Sequence, residues 1–188
     1  MARMPYDALA MDVVDLYKPM ALTTARLVLR PPRLADAPAM SGFLGDAEAM
    51  RYTHVRTSVR DCRRYLAVHE RQRRRNGCAP WVVLDNKAWA IVGFGGLYED
   101  PFDPGWGVEL GYFFAPAAWR CGYATELARF CLDLAGRERR WAEIRAFARP
   151  DNTASQRVLQ KVGFEMVRYV PEMERDLYRF ELGQRGRT

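Results

Sequence analysis

Chemistry concentrates in one stretch, Tyr112-Phe113-Phe114-Ala115-Pro116-Ala117-Ala118-Trp119-Arg120-Cys121-Gly122-Tyr123-Ala124-Thr125. An apolar strand pattern runs into a short loop with an arginine and a glycine, and an amphipathic helix pattern opens at once. A helix start leaves backbone N–H groups without intrahelical partners and carries partial positive charge. A diphosphate is the natural guest of such a turn. Gly122 permits close approach of a ligand, Ala124 keeps the helix start narrow, and Arg120 can add a charge-assisted contact. A tight connection without a ligand would read the same way. No Gly-Lys-Ser/Thr follows, so the loop is not of the Walker type. Other reactive side chains lack partners. Cys121 needs only its backbone N–H in the loop, and His54 and His69 stand without a carboxylate motif.

The elements that must hold this stretch follow from periodicity. Ala25 to Arg30 alternates polar and apolar residues as a half-buried strand does, and Pro31-Pro32 stops it. Asp36 is placed to cap a short helix through Met40, Phe43 and Leu44. A second helix carries Cys62, Tyr65, Leu66 and His69 at helical spacing, with Arg63, Arg64, Arg71 and Arg73 among the remaining positions, either as a solvated face or as a docking face for an acidic partner or CoA phosphates, and ends at Asn76-Gly77. Strands are expected at Trp81–Leu84, Ala90–Leu97 and Val108–Phe114, with Asp85-Asn86-Lys87 as a hairpin turn. The glycines Gly93, Gly95 and Gly96 mark a strand that lets another backbone approach. A helix from Gly122 to Gly136 buries Leu127, Phe130, Cys131 and Leu134. A strand over 142–148, a helix from Asp151-Asn152 to Gly163, and strands over 164–169 and 177–182 complete the order. Consecutive strands would pair antiparallel and helix-linked strands parallel, giving an α+β class with a mixed sheet and helices on both faces.

Four segments in this order resemble the GNAT acetyltransferase superfamily, in the branch of the RimJ and RimL ribosomal-protein N-acetyltransferases. Trp119-Arg120-Cys121-Gly122-Tyr123-Ala124 is similar to the family's pyrophosphate loop, Gln/Arg-x-x-Gly-x-Gly/Ala, with Trp119 in first position. Thr24–Arg30 resembles the branch's first strand, Val108–Tyr112 its central strand, and Asp151–Phe164 its C-terminal motif. The match runs from about residue 22 to 182. The resemblance implies a mostly antiparallel sheet of about six to seven strands, splayed in the centre. It implies acetyl-CoA as co-substrate, no metal, and acetyl transfer to a primary amine, on a protein N-terminus or a small molecule. The pantetheine arm would bond the backbone around Tyr112, Phe113 and Phe114, as an added edge strand does. The diphosphate would take the N–H groups of Arg120, Cys121, Gly122, Tyr123, Ala124 and Thr125, while Asn152 reaches the pantetheine or caps its helix.

Acyl transfer to an amine needs a neutral nucleophile, a stabilised oxyanion and a leaving thiol. By the same resemblance Glu109 is the candidate base, an ion-paired strand carboxylate being the alternative. Many members carry an acidic tyrosine four residues before the Gly-Phe pair, where this chain has Leu159. The branch offers a serine instead, matched by Ser155, either as a donor to the thiolate or as a small residue beside CoA. A non-catalytic acyl-CoA-binding module is the competing reading. Acceptor choice would rest on the loops at 31–60, 98–106 and 168–177.

Composition agrees with this class. The chain has 188 residues and 49% apolar content, enough for one domain. The expected division is an extension over 1–21, the acetyltransferase domain over 22–183 and a tail over 184–188. No apolar run approaches the roughly 18 residues of a membrane span. Asp7, Asp12 and Asp15 interrupt the N-terminus where a signal peptide would be apolar, so a cytoplasmic protein without a membrane partner is expected. Cys62, Cys78, Cys121 and Cys131 form no CxxC pair and read as free thiols. The charge of +6 comes largely from dispersed arginines. Nucleic acid is therefore not the expected partner, and Trp89, Trp106 and Trp141 read as core or interface rather than base-stacking residues. A homodimer is compatible with the sequence.

Overall fold

The computed structural model describes residues 21–183. The extension over 1–21, except Ala21, and the tail over 184–188 lie outside the described residues. The strands are β1 (Leu22–Thr23), β2 (Leu27–Arg30), β3 (Trp81–Asp85), β4 (Ile91–Glu99), β5 (Val108–Phe114), β6 (Glu143–Ala148), β7 (Glu165–Val170) and β8 (Arg175–Glu181). The helices are α1 (Ala37–Leu44), α2 (Val59–Asn76), α3 (Tyr123–Glu138) and α4 (Thr153–Val162). The strands form one sheet in the order β1-β2-β3-β4-β5-β6-β8-β7. Eight strands exceed the expected six to seven because the two-residue β1 folds back on β2.

Side chains alternate between two cores. Leu27 and Leu29 of β2, with Trp81 and Val83 of β3, join Leu127, Cys131 and Ala135 of α3 and Leu159 of α4. Val28, Val82, Leu84 and Phe94 turn the other way, against Met40, Phe43 and Leu44 of α1 and Cys62, Tyr65 and Leu66 of α2. Helices therefore cover both faces. β2 is buried on both sides rather than half-buried as its alternation implied, because α1 and α2 cover the second face.

Ser58 caps α2 by accepting the Asp61 N–H at 3.1 Å, and Gly77 ends it in left-handed backbone at φ 77°. Its buried face is Cys62, Tyr65, Leu66 and His69, as the spacing required. Two charged residues depart from expectation. Asp36 stands at the N-cap position of α1 without capping it. Its carboxylate accepts both Arg30 guanidinium bonds at 2.7 Å and the Arg33 N–H at 2.6 Å, closing the turn before the helix. Arg73 leaves the solvated face of α2 and donates to the carbonyls of Ala79 (2.9 Å) and Pro80 (2.6 Å), tying the helix end to β3. Trp89 is exposed in the β3–β4 turn at φ 55° rather than in a core.

Strand pairing also corrects the simple rule. β5 and β6, joined by α3, are parallel, but β7 does not lie beside β6. β8 inserts between them, antiparallel to both. β2 and β3 are antiparallel because a pair of helices, not one, connects them. The β4 glycines admit aromatic side chains as well as backbone. A Cβ at Gly93 would meet the Phe114 ring at 2.6 Å, and one at Gly96 the Trp81 ring at 2.5 Å.

Candidate active site at the strand fork

β5 is paired along its whole length with β4, from Val108 opposite Glu99 to Phe114 opposite Gly93. On its other side the ladder to β6 is limited to one pair, Glu109 opposite Arg145. Beyond that point β5 and β6 diverge, and the β6-facing edge of Tyr112, Phe113 and Phe114 is open. This fork is the splay expected at the sheet centre. Tyr112 and Phe114 turn toward α3 and α4, while Phe113 turns toward the α1–α2 side.

The turn after β5 is rigidly built. The Trp119 indole N–H donates to the Phe114 carbonyl at 2.8 Å. Arg120 (φ 61°) and Gly122 (φ 80°) are both left-handed, and Gly122 is the N-cap of α3 without a side-chain cap bond. The first helical bond runs from the Glu126 N–H to the Gly122 carbonyl at 3.1 Å. The N–H groups of Tyr123, Ala124 and Thr125 precede it and have no intrahelical acceptor. α3 therefore begins at Tyr123, and it runs through Gly136 to Glu138. Cys121 is exposed. Arg120 is exposed, and its guanidinium has no partner among the described residues.

Sequence reasoning did not find Arg26. From the start of β2 its guanidinium donates to the Cys121 carbonyl (2.7 Å) and Glu126 Oε2 (2.7 Å) and lies 5.0 Å from the Tyr123 ring centre. The Thr24 hydroxyl donates to Glu126 Oε1 at 2.6 Å, and Tyr123 Oη donates to Asp85 at 2.6 Å. Burial raises the Glu126 pKa, but the Thr24 and Arg26 hydrogen bonds outweigh it, and the carboxyl lies below its usual range. Thr24 and Arg26 are about a hundred residues from Cys121 and Glu126 in sequence, and Asp85 is 38 from Tyr123, so no local spacing signals them.

α4 starts beside the fork. Asn152 Oδ1 accepts the Ser155 N–H at 3.2 Å, so Asn152 is a helix cap in this structure. Tyr112 Oη is buried without a hydrogen-bond partner, and the Ser155 hydroxyl favours its ionisation. Burial is the larger influence, and Tyr112 is pushed up to about 12. Leu159 is buried in the core beneath α4.

Glu109 sits at the crotch of the fork, 5% exposed, on the opposite face from Val108 and Leu110. Its cross-strand neighbour is Tyr98, and its Oε1 has no hydrogen-bond partner. Burial first, then the negative charge of Asp100, raises its carboxyl to about 8, with Asp103 adding to and Arg175 and Arg145 opposing the rise. Beyond Tyr98 the same face continues to His69. The His69 ring lies 4.5 Å from Tyr65 and 5.6 Å from Tyr98, and neither ring nitrogen has a partner. Burial, then Arg56 and Arg73, lower it to about 3. His54 is exposed in the loop between α1 and α2.

The structure thus gathers Tyr112, Asn152 and Ser155 on the α4 side, with the Arg120–Thr125 turn at the end of the same strand. Glu109 stands about 10 Å back along β5, on the other face. Among the described residues no three His, Cys, Asp or Glu side chains cluster as metal ligands, and no helix is long and apolar enough to cross a membrane.

Comparison with known proteins gives the same architecture. A Bacillus subtilis protein, YkkB, is 29% identical over 161 residues, covering 85% of this chain and 94% of its own. A GNAT-family acetyltransferase structure from Bacillus anthracis is 23% identical with TM-score 0.69, over 87% of this chain and 99% of that one. RimJ of Mycobacterium smegmatis, solved in complex with CoA-disulfide, is 20% identical with TM-score 0.71, over 86% of this chain and 85% of that one. The profile of the acetyltransferase (GNAT) domain matches residues 26–165, and with three-quarters of its length inside that profile the chain belongs to the GNAT acetyltransferases.

Proposed function

We propose that this chain is an N-acetyltransferase that moves an acetyl group from acetyl-CoA directly to a primary amine, on a protein N-terminus or a small molecule, in the cytoplasm. Residues 22–183 form the catalytic domain in this reading. The observation that carries it is the fork: a strand edge left open from Tyr112 to Phe114, ending in a left-handed turn at a helix start. Open strand backbone suits an extended amide-bearing arm, and the turn suits its diphosphate. RimJ, which shares the fold, has been solved with CoA-disulfide.

When bound, acetyl-CoA supplies the activated acyl thioester. The backbone of Tyr112, Phe113 and Phe114 orients the pantetheine. The N–H groups of Arg120, Cys121, Gly122, Tyr123, Ala124 and Thr125 hold the diphosphate, and the unpaired Arg120 guanidinium adds charge. Asn152 fixes the start of α4, and through it the Ser155 hydroxyl beside the thiol. Glu109 accepts the amine proton, directly or through a water. With a carboxyl at about 8 it is a base matched to amines, whose own pKa values run from about 8 to about 10. Turnover should rise with pH through about 8, as Glu109 becomes the carboxylate.

The test is calorimetry with acetyl-CoA followed by mass-spectrometric screening of peptides and small amines. One site per chain and an acetylated amine are expected. No binding at high micromolar acetyl-CoA refutes the reading. Binding without any turnover would favour the non-catalytic module, for which the buried, apolar Leu159 speaks.

A further inference from the structure

Arg26 directs its side chain from the start of β2 onto the turn ahead of α3. Nη1 donates to the Cys121 carbonyl and Nε to Glu126 Oε2, both at 2.7 Å, while the backbone N–H donates to Glu126 Oε1 at 2.8 Å. Arg26 is itself fixed from the β3–β4 turn. There the Asn86 N–H donates to its carbonyl and the Asn86 side-chain amide to the Ala25 carbonyl, each at 2.9 Å. The guanidinium lies under the N-cap of α3, since a Cβ at Gly122 would stand 3.3 Å from Nη2. In a planar trans peptide the carbonyl and the following N–H point opposite ways. Holding the Cys121 oxygen against Arg26 therefore turns the Gly122 N–H away from β2. Like the N–H groups of Tyr123, Ala124 and Thr125, it has no acceptor among the described residues. Left-handed residues flank Cys121, Arg120 at φ 61° and Gly122 at φ 80°. A non-glycine residue persists in that region only where its surroundings hold it, and the Arg26 bond supplies such a hold.

We infer that Arg26 is a positioning residue for the cofactor: clamped on Glu126, it holds the Cys121–Gly122 peptide so that the free N–H groups of the turn meet the diphosphate. This rests on the acetyltransferase reading and gives a role to a residue outside the loop itself. Arg26 acts through the backbone and not as a phosphate ligand, because its charge is already matched by Glu126 at 2.7 Å. The distinction has a sign. Were Arg26 a free positive charge at the anion site, removing the Glu126 carboxylate would tighten the binding of a polyanion. As a positioning residue it needs that carboxylate, so the same change releases the clamp and weakens binding.

The experiment is calorimetry with CoA and with dephospho-CoA, which keeps the diphosphate and lacks the phosphate on the ribose. Arg26→Gln should weaken both by the same factor, about tenfold or more. Glu126→Gln should also weaken both, and the double variant should bind no worse than Arg26→Gln alone. In amide NMR spectra at saturating CoA, the N–H groups of Gly122 to Thr125 should lose most of their ligand-induced shift in either variant. Those of Tyr112 to Phe114 should keep theirs, which a general loss of structure would not allow. Should Arg26→Gln not fold, Glu126→Gln decides alone by its sign. Unchanged or tighter CoA binding in Glu126→Gln overturns the inference. So does a loss confined to CoA, which would place Arg26 on the ribose phosphate, and so does a loss of shift shared equally by β5 and the turn. A wild-type chain that binds no CoA overturns the functional reading and this inference together, whereas CoA bound equally well by both variants overturns this one alone.

Discussion

Glu109→Gln separates stability from chemistry. Burial raises the folded carboxyl from 4.5 to about 8, so between these values the folded chain holds a proton that the unfolded chain has released. Stability from this group is therefore full below pH 4.5 and is lost as pH rises through about 8. At about 1.36 kcal/mol per unit, the loss reaches about 3 kcal/mol at pH 7 and about 5 kcal/mol above pH 9. Glutamine is neutral at every pH, but its amide donor would also lack a partner at this site, costing about 1–2 kcal/mol. The variant should thus match or fall below wild type at pH 4, gain about 1–2 kcal/mol at pH 7 and gain more at pH 9. Urea unfolding followed by circular dichroism at these pH values measures it, provided the slope m is unchanged. Turnover should move the other way, falling about 10²-fold or more with little change in acetyl-CoA affinity. Parallel pH–stability curves for the two proteins from pH 6.5 to 9 would refute the buried-carboxyl argument. Near-wild-type turnover across pH 6–9 would remove Glu109 from the mechanism.

His69 contributes the opposite slope: its folded value of about 3 against 6.5 unfolded means that stability is lost as pH falls below 6.5, and His69→Phe should flatten that acid limb in the same unfolding assay. Gly122→Val forces a β-branched residue to φ 80° and brings its Cβ to 3.3 Å from Arg26, and calorimetry should show acetyl-CoA binding weakened tenfold or more, about 1.4 kcal/mol. Cys121 is exposed in the turn while Cys62, Cys78 and Cys131 are buried, so a thiol reagent should label Cys121 fast and acetyl-CoA should protect it, as peptide mapping would show. Binding of DNA or RNA in a gel shift should be weak and vanish near physiological salt, as for basic charge without a dedicated groove.

What was legible in the sequence was local. The run Asp151 to Gly163 carries its cap, its apolar stripe and its left-handed stop within one helix length, and α4 starts and ends where those residues place it. The same holds for α2 and for the Gly122 turn, whose conformation is set by a few adjacent residues. What was not legible depends on partners brought from afar. Asp36 has the chemistry of a cap, but Arg30 and the Arg33 N–H compete for the same oxygens and win, because a bidentate ion pair at 2.7 Å outweighs one cap bond. The β7–β8 hairpin places β8, not β7, against β6, a choice made by the pairing of whole strands rather than by either sequence.

The candidate site divides along the same line. The half proposed to bind the cofactor is one continuous segment, Tyr112 to Thr125, and could be read as such. The surroundings of Glu109, the proposed base, are assembled across the sheet. Glu109 owes its raised carboxyl to being enclosed between β4 and β6 with Asp100 nearby, and an isolated strand glutamate carries no sign of that. Tyr112 and Leu159 come from segments far apart in sequence and share the core on one side of the sheet, where β5 parts from β6 after a single pair. A fork that closed into a regular parallel ladder would satisfy the backbone of Tyr112 to Phe114 and remove the open edge proposed to take the pantetheine. The missing ladder bonds between β5 and β6 are thus the feature on which the proposed seat of the pantetheine rests.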